Sequence, residues 1–85
     1  MDVARKRLLW HCRRGMRELD VVLEAWVASR YDASTIDQRA CFDKLLDEAD
    51  PTLYAWFTER AQPDDPDTRD LIMIMLAHYR ATLHG

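Results

Sequence analysis

Glycine is scarce in this 85-residue sequence, which contains only Gly15 and Gly85. Loops that cradle the phosphates of a nucleotide need several closely spaced glycines, because their backbone N–H groups must approach the phosphate oxygens. Two glycines far apart in the sequence do not form such a loop. We therefore expect that the chain binds no nucleotide cofactor stably by itself.

Residues for nucleophilic or metal chemistry are also few and widely spaced. The candidates are two serines and three histidines: Ser29, Ser34, His11, His78 and His84. The serines lie far in sequence from any histidine, and no two histidines have the spacing of a zinc site on a helix. Cys12 beside His11 is a single pair of metal ligands without a second pair. The sequence predicts a protein that is not an enzyme and holds no metal.

The two cysteines, Cys12 and Cys41, show no close-spaced pairing motif. No signal peptide is apparent, so a reducing compartment is expected, in which both cysteines are small buried residues rather than a disulfide. No apolar run approaches the roughly 20 residues that span a bilayer. These features predict a cytoplasmic protein, and the chain length predicts a single domain over residues 1–85.

The charges that are present are unevenly distributed along the chain. The net charge is −3, yet the first twenty residues contain six Lys or Arg against three Asp or Glu. A basic N-terminal region on an acidic body suits a partner with an acidic or mixed surface. A general nucleic-acid-binding domain is normally clearly basic, so the net charge argues against that class.

Apolar residues recur at helical spacing in five segments, and no segment alternates with the period of a strand. The first two helices are predicted over residues 2–13 and from Met16 to about Arg30. A capping box predicts the start of the third, with Ser34 or Thr35 as the cap and Asp37 or Gln38 as its partner. Aspartate followed by proline predicts the last two, at Asp50-Pro51 and at Asp65-Pro66, the final helix ending near Leu83. The sequence therefore predicts an all-α protein, a single small five-helix bundle.

The apolar stripes of these helices are expected to form the core. In the second helix the stripe is Met16, Leu19, Leu23, Trp26 and Val27. In the third it is Ile36, Ala40, Cys41 and Leu45, with Phe42 and Leu46 alongside. In the last it is Leu71, Ile72, Met75, Leu76, Tyr79 and Leu83. Leu8 and Cys12 share a face of the first helix, while Trp10 and Tyr54 fit either the core or an interface. Three arginines are expected to face water: Arg5, Arg7 and Arg14.

The segment from Arg13 to Asp20 predicts a helix-to-helix corner that displays charge. Gly15 is expected at a positive φ angle, where a helix often ends. Arg13, Arg14 and Arg17 crowd around it, and their mutual repulsion stabilises nothing. Arginine is favoured where carboxylates or phosphates are recognised. The composition of this corner therefore predicts a binding function.

The same segment carries a resemblance to a known family. The pattern Trp10-x-Cys12-Arg13-Arg14-Gly15-Met16-x-Glu18-Leu19-Asp20 resembles the signature of the succinate dehydrogenase assembly factor 2 family, whose bacterial members are flavinylation factors of the SdhE type. Weaker matches follow in the same order: Phe42, Leu45-Leu46, Asp50-x-x-Leu53-x-x-Trp56 and Pro63. The sequence departs from the pattern at Leu9, where a polar residue is common, and at Trp26, where Phe is expected.

The resemblance implies an assembly factor, or chaperone, with five helices. It would bind the flavoprotein subunit of succinate dehydrogenase, and of fumarate reductase in some bacteria, and promote covalent attachment of FAD to a histidine of that subunit. The FAD would then be attached to the partner rather than to this chain, which is expected to be a monomer. By motif match, the resemblance implies six partner-binding residues: Arg7, Arg14, Gly15, Met16, Glu18 and Asp20.

Two alternatives remain open at this point. Members of the same family have been labelled antitoxins that bind a small membrane toxin, which would use the helical faces rather than the corner. A weaker alternative is a nucleic-acid-binding bundle that uses the basic residues Arg5, Lys6, Arg7, Arg13 and Arg14, against which the net charge of −3 counts.

Overall fold

Five α-helices make up the part of the chain that the structure describes. A computed structural model describes the backbone of residues 3–84 and the side chains of residues 3–81. The helices are α1 (Val3–Cys12), α2 (Arg17–Ser29), α3 (Ile36–Leu45), α4 (Asp50–Phe57) and α5 (Pro66–His84). The described residues contain no strand, so the all-α prediction is confirmed. None of these helices combines the length and the apolar character needed to cross a bilayer.

Helices α2 and α5 form the centre of the bundle. Helix α2 packs against α1, α4 and α5, and α5 packs in addition against α3. The stripe predicted for α2 is confirmed from Leu19 to Val27, and Met16 packs half-buried at its edge. In α5 the side chains of Leu71, Ile72, Met75 and Leu76 are buried as predicted. Leu83, the last position of the predicted stripe, lies outside the described side chains.

Helix α3 begins at the predicted capping box. The Thr35 hydroxyl accepts a 3.0 Å hydrogen bond from the Gln38 backbone N–H, and the Gln38 side chain accepts one of 3.1 Å from the Thr35 N–H. The stripe predicted for this helix is wrong in part, because Ile36 is 79% exposed and Ala40 faces solvent. Leu45 is buried as predicted, and so are Phe42 and Leu46, which were expected alongside the stripe. Rotating the helix this way buries the large Phe42 ring, which removes more apolar area from water than Ile36 would.

The two helices that start with proline differ in their caps. Helix α4 has Ala49 as its N-cap and begins at Asp50, so the prediction of Asp50 as the cap is wrong by one residue. At the start of α5 the Asp65 carboxylate accepts hydrogen bonds from the backbone N–H of Thr68 at 3.1 Å and from its hydroxyl at 2.7 Å. These bonds lower the pKa of Asp65 and satisfy donors of the first turn.

Helix α1 carries apolar side chains on two opposite faces. Leu8 and Cys12 pack towards α2, as predicted from their spacing. Arg5 ties the helix down, because its guanidinium donates to the Val27 carbonyl oxygen at 3.1 Å and pairs with Asp32. The prediction that Arg5 faces water is therefore wrong. On the other face Trp10 is 78% exposed.

Candidate functional site

Gly15 is at the middle of the connection between α1 and α2. Its φ angle is +79°, as the sequence predicted, and a Cβ atom built on it would meet no other atom within 4 Å. Side chains are disfavoured here by the backbone angle and not by crowding. Helix α1 ends just before it, where the Arg13 N–H donates to the Trp10 carbonyl oxygen at 3.1 Å. We call residues Arg13 to Arg17 the Gly15 turn.

Asp20 closes this turn from the other side. Its carboxylate accepts a 2.7 Å hydrogen bond from the backbone N–H of Arg14. Met16, the N-cap of α2, makes no side-chain capping bond, so the first turn of α2 lacks the usual cap. The carboxylate of Asp20 instead joins α2 to the residue that precedes Gly15. The sequence did not indicate this bond.

Arg14 points into the protein rather than into solvent. Its guanidinium donates to the Leu46 carbonyl oxygen, and it lies 3.5 Å from the Glu48 carbonyl oxygen and 3.5 Å from the Asp50 carboxylate. Only 17% of the side chain is exposed. The prediction that Arg14 faces water is wrong. The fork of the guanidinium reaches carbonyl oxygens left at the end of α3, and so it holds the Gly15 turn against the α3–α4 connection.

The remaining charged side chains of the turn are on the surface. Arg13 reaches Glu24 of α2, with 3.4 Å between its Nε and the carboxylate, and both side chains are largely solvated. Arg17 and Glu18 are exposed in the first turn of α2. The arginine cluster predicted from the sequence is thus divided. Arg14 faces inwards, Arg13 lies along α2, and Arg17 beside Glu18 remains available to a partner.

A buried thiol lies directly before the turn. Cys12 is fully buried, and burial raises its pKa from 9.0 to about 12, with the nearby Glu24 carboxylate adding to the shift. Such a thiol is protonated and unreactive at neutral pH. Cys41 is half-buried in α3, and both cysteines are free. The expectation of buried cysteines is confirmed for Cys12 and met only in part by Cys41.

Arg7, the sixth residue implied for partner binding, is not in the turn. It is exposed on α1, five positions before the end of that helix at Cys12. There it lines an open depression of about 490 Å³ whose wall is formed by Val3, Lys6, Arg7, Leu9, Trp10 and Arg13. Arg13 belongs to both features, so the depression is continuous with the Gly15 turn. The structure therefore groups five of the six residues in the turn and the start of α2, and puts Arg7 on the adjoining helix.

The sequence did not indicate two partners of this site. Asp50 lies near the Arg14 guanidinium, and the Leu46 carbonyl oxygen accepts from it, although both are far from Arg14 along the chain. The sequence carried no signal for the Asp50 contact, because Asp50 before Pro51 was predicted to cap α4, whereas the structure has Ala49 as that cap. The described residues contain no cluster of His, Cys, Asp or Glu that could hold a metal ion.

Comparison with known proteins identifies the family. The family model of Sdh5, described as the flavinator of succinate dehydrogenase, matches residues 6–79. The chain belongs to the Sdh5 family. The resemblance seen in the sequence is thereby confirmed.

Curated relatives of this Sdh5-family chain are named FAD assembly factor SdhE. The protein of Pseudomonas aeruginosa is 42% identical over 71 residues, which cover 84% of each chain. That of Idiomarina loihiensis is 40% identical over 76 residues, 89% of this chain and 84% of the relative. That of Legionella pneumophila strain Lens is 48% identical over 60 residues, 71% of this chain and 76% of the relative. The Sdh5 match spans the Gly15 turn, Arg7 and the α3–α4 connection that Arg14 contacts.

Proposed function

We propose that this chain is an assembly factor that binds the flavoprotein subunit of succinate dehydrogenase and promotes the covalent attachment of FAD to a histidine of that subunit. The observation that carries the proposal is the Sdh5 family match over residues 6–79, which includes all six predicted partner-binding residues. The geometry of the Gly15 turn supports it. The turn is held from two sides, by Asp20 and by the contacts of Arg14, while Arg17 and Glu18 are exposed at its edge.

The chain acts in this proposal as a chaperone and not as an enzyme. The flavin, the histidine that attacks it and the bond that forms all belong to the partner. Orientation of reacting groups alone contributes several kcal/mol, up to about 7–11 kcal/mol in favourable cases. A small protein that holds the domains of the flavoprotein in a reactive arrangement therefore needs no catalytic group of its own.

The six implied residues divide into two roles under this proposal. Glu18 is exposed and contacts the flavoprotein directly, with Arg7 as a second exposed contact on α1. Gly15, Asp20 and Arg14 act by setting the shape and position of the turn, because their structural contacts are within this chain. Met16 packs half-buried against the core and connects the residues that shape the turn to the exposed contact residues.

Covalent flavin on the partner is the decisive measurement. The flavoprotein subunit is expressed with and without this chain, and its covalent FAD is read as in-gel fluorescence, with the Glu18→Ala variant as a matched control. Calorimetry of FAD with the isolated chain at about 0.15 M salt is run beside it, since salt screens exposed arginines. We expect more covalent FAD with the wild type and no binding of free FAD. Micromolar binding of FAD to the isolated chain would instead indicate a flavin carrier.

A second experiment distinguishes this partner from the alternatives. Neither the family description nor the names of the relatives mention fumarate reductase or a toxin. Affinity capture from cell extract, with the captured proteins identified by mass spectrometry, is expected to yield the flavoprotein subunit of succinate dehydrogenase. Recovery of a small membrane protein in its place would favour the antitoxin alternative.

A further inference from the structure

The outer face of α1 combines exposed apolar and basic side chains in a way that the core does not explain. The outer face of α1 is defined as the six residues that line the depression: Val3, Lys6, Arg7, Leu9, Trp10 and Arg13. Val3 and Trp10 are both well exposed, at 65% and 78%, although they are seven positions apart on one side of the helix. Leu8 and Cys12, which pack into the protein, lie on the opposite side. Val3 and Trp10 are therefore not part of the core, whereas Leu9 is half-buried between the outer face and the core and packs against the core.

Exposure of a tryptophan at this position needs a physical reason. A tryptophan buries about 150–250 Å², so leaving it in water forgoes a large part of the stabilisation available to a small domain. Tryptophan and arginine are also the residues most often found at the energetic centres of protein interfaces. Trp10 has Arg7 and Arg13 beside it in the wall of the same depression.

The charge of the outer face selects the occupant. Lys6, Arg7 and Arg13 line it and no acidic residue does so among the described residues. A second copy of the chain docked through the same face would bring two sets of these cations together, which opposes such a dimer. A partner segment that carries carboxylates around an apolar side chain is complementary to both the charge and the apolar floor.

We propose that the outer face of α1 is a docking surface for an acidic segment of the flavoprotein subunit. Trp10 would insert into an apolar recess of that subunit, and Lys6 and Arg7 would face carboxylates of the segment. This inference rests on the proposed function and extends it, because it places the binding affinity on α1 and leaves the Gly15 turn to act on the flavin site. Continuity between the two surfaces through Arg13 allows one partner to contact both.

Binding of the purified flavoprotein subunit, measured by calorimetry, tests the inference. Trp10→Ala is expected to weaken binding by at least about tenfold, while its melting temperature stays that of the wild type because the residue is exposed. Ile36→Ala removes an equally exposed apolar residue of α3 and is the matched control, expected to bind like the wild type. Equal affinity of Trp10→Ala and the wild type would overturn the inference.

Charge reversal tests the acidic character of the occupant. Lys6→Glu is expected to weaken binding severalfold and to reduce its dependence on salt, and Lys44→Glu, on exposed α3 surface, is the control. If Lys6→Glu binds with unchanged affinity and salt dependence, the occupant is not acidic and the inference is wrong.

Three further measurements oppose the inference if they are positive. The chain is tested at about 0.15 M salt for tight binding to a single-stranded DNA oligomer, to vesicles of phosphatidylcholine with phosphatidylglycerol, and, by sedimentation, to a second copy of itself. Each result counts against the inference if Trp10→Ala abolishes the binding. Covalent FAD on the flavoprotein is assayed separately. If the wild type increases flavinylation and Trp10→Ala binds the flavoprotein subunit as tightly as the wild type does, only the inference is refuted. A wild type that neither binds the subunit nor raises its flavinylation refutes the proposed function, and the inference with it.

Discussion

The Asp20 carboxylate accepts a 2.7 Å hydrogen bond from the backbone N–H of Arg14, six residues earlier in the chain. This bond spans Gly15 and connects the first turn of α2 to the end of the preceding helix. Met16 provides no side-chain cap for α2, so this is a bond between α2 and the segment before Gly15 and not a cap of the helix itself. The shape of the Gly15 turn therefore depends on a residue inside α2.

Substitution of Asp20 is expected to loosen the turn. Asp20→Ala should lower the free energy of unfolding by about 1.5–3 kcal/mol, the usual net contribution of a hydrogen bond to a charged group. Asp20→Asn should lose less, because the amide oxygen still accepts from Arg14. Urea denaturation followed by circular dichroism measures both. An unchanged midpoint for Asp20→Ala would show that the turn is held without this bond.

Gly15→Val is expected to destabilise the protein through its backbone. A β-branched residue at φ +79° costs about 1–3 kcal/mol, and crowding adds nothing to this cost because no atom lies within 4 Å of the position that a Cβ would occupy. Gly15→Asn is the control, since asparagine tolerates positive φ better than other side chains do. Thermal unfolding should rank the wild type first, Gly15→Asn second and Gly15→Val last. Equal melting temperatures would contradict the argument from φ.

Glu18→Ala is expected to leave the fold intact and remove the function. Glu18 is exposed, and a surface substitution away from caps and core usually changes stability by no more than about 0.5 kcal/mol. Covalent FAD on the flavoprotein subunit, measured after co-expression, should fall to the level seen without this chain. Asp70→Ala, which removes an exposed carboxylate of α5, should flavinylate normally. Unfolding of Glu18→Ala would instead give Glu18 a structural role.

Because the Cys12 thiol is buried, we expect the free energy of unfolding to depend on pH in the alkaline range. Burial raises its pKa from 9.0 to about 12, so between these values the unfolded chain loses a proton that the folded chain keeps. The stabilising contribution of the neutral thiol is therefore complete below pH 9 and is lost as the pH rises towards 12. The slope approaches about 1.4 kcal/mol per pH unit.

Comparison with Cys12→Ala isolates this effect from other groups that titrate in alkali. The free energy of unfolding, measured in urea on either side of the ordinary thiol pKa, at about pH 8 and about pH 10, should fall more for the wild type than for the variant. A thiol reagent at the lower pH should modify Cys41 before Cys12, because Cys12 is fully buried and Cys41 is only half-buried. A pH dependence identical in the two proteins would show that the Cys12 thiol titrates normally.

The helices were predictable because their signals are local. The capping box at Thr35 and Gln38 and the proline start of α5 depend on residues three positions apart or fewer, and the positive φ of Gly15 follows from its residue type. The prediction for α3 was wrong only at Ile36 and Ala40, because two overlapping stripes fit the same sequence. Only packing against α5 decides that Phe42 is buried and Ile36 is not.

The inward orientation of Arg14 could not be predicted from neighbouring residues. An arginine in a charged segment at a turn is usually solvated, and only the folded chain brings the Leu46 carbonyl oxygen within its reach. The same holds for the partners of Arg5, since Val27 and Asp32 are distant along the chain. Local patterns thus predicted where the turn is, and tertiary contacts determined which of its arginines remain exposed.

The contact of Arg14 with the α3–α4 connection also has an evolutionary consequence. The Leu46 carbonyl that it meets is 32 residues away along the chain, and the Asp50 carboxylate lies close by. Selection on the turn therefore extends to a segment with no obvious part in the function. Positions 14 and 50 should covary among diverging homologues, since a change at one leaves a charge at the other without its counterion. Neutral substitutions in the α3–α4 connection are correspondingly restricted. A substitution there that impairs function would do so by disturbing the Gly15 turn.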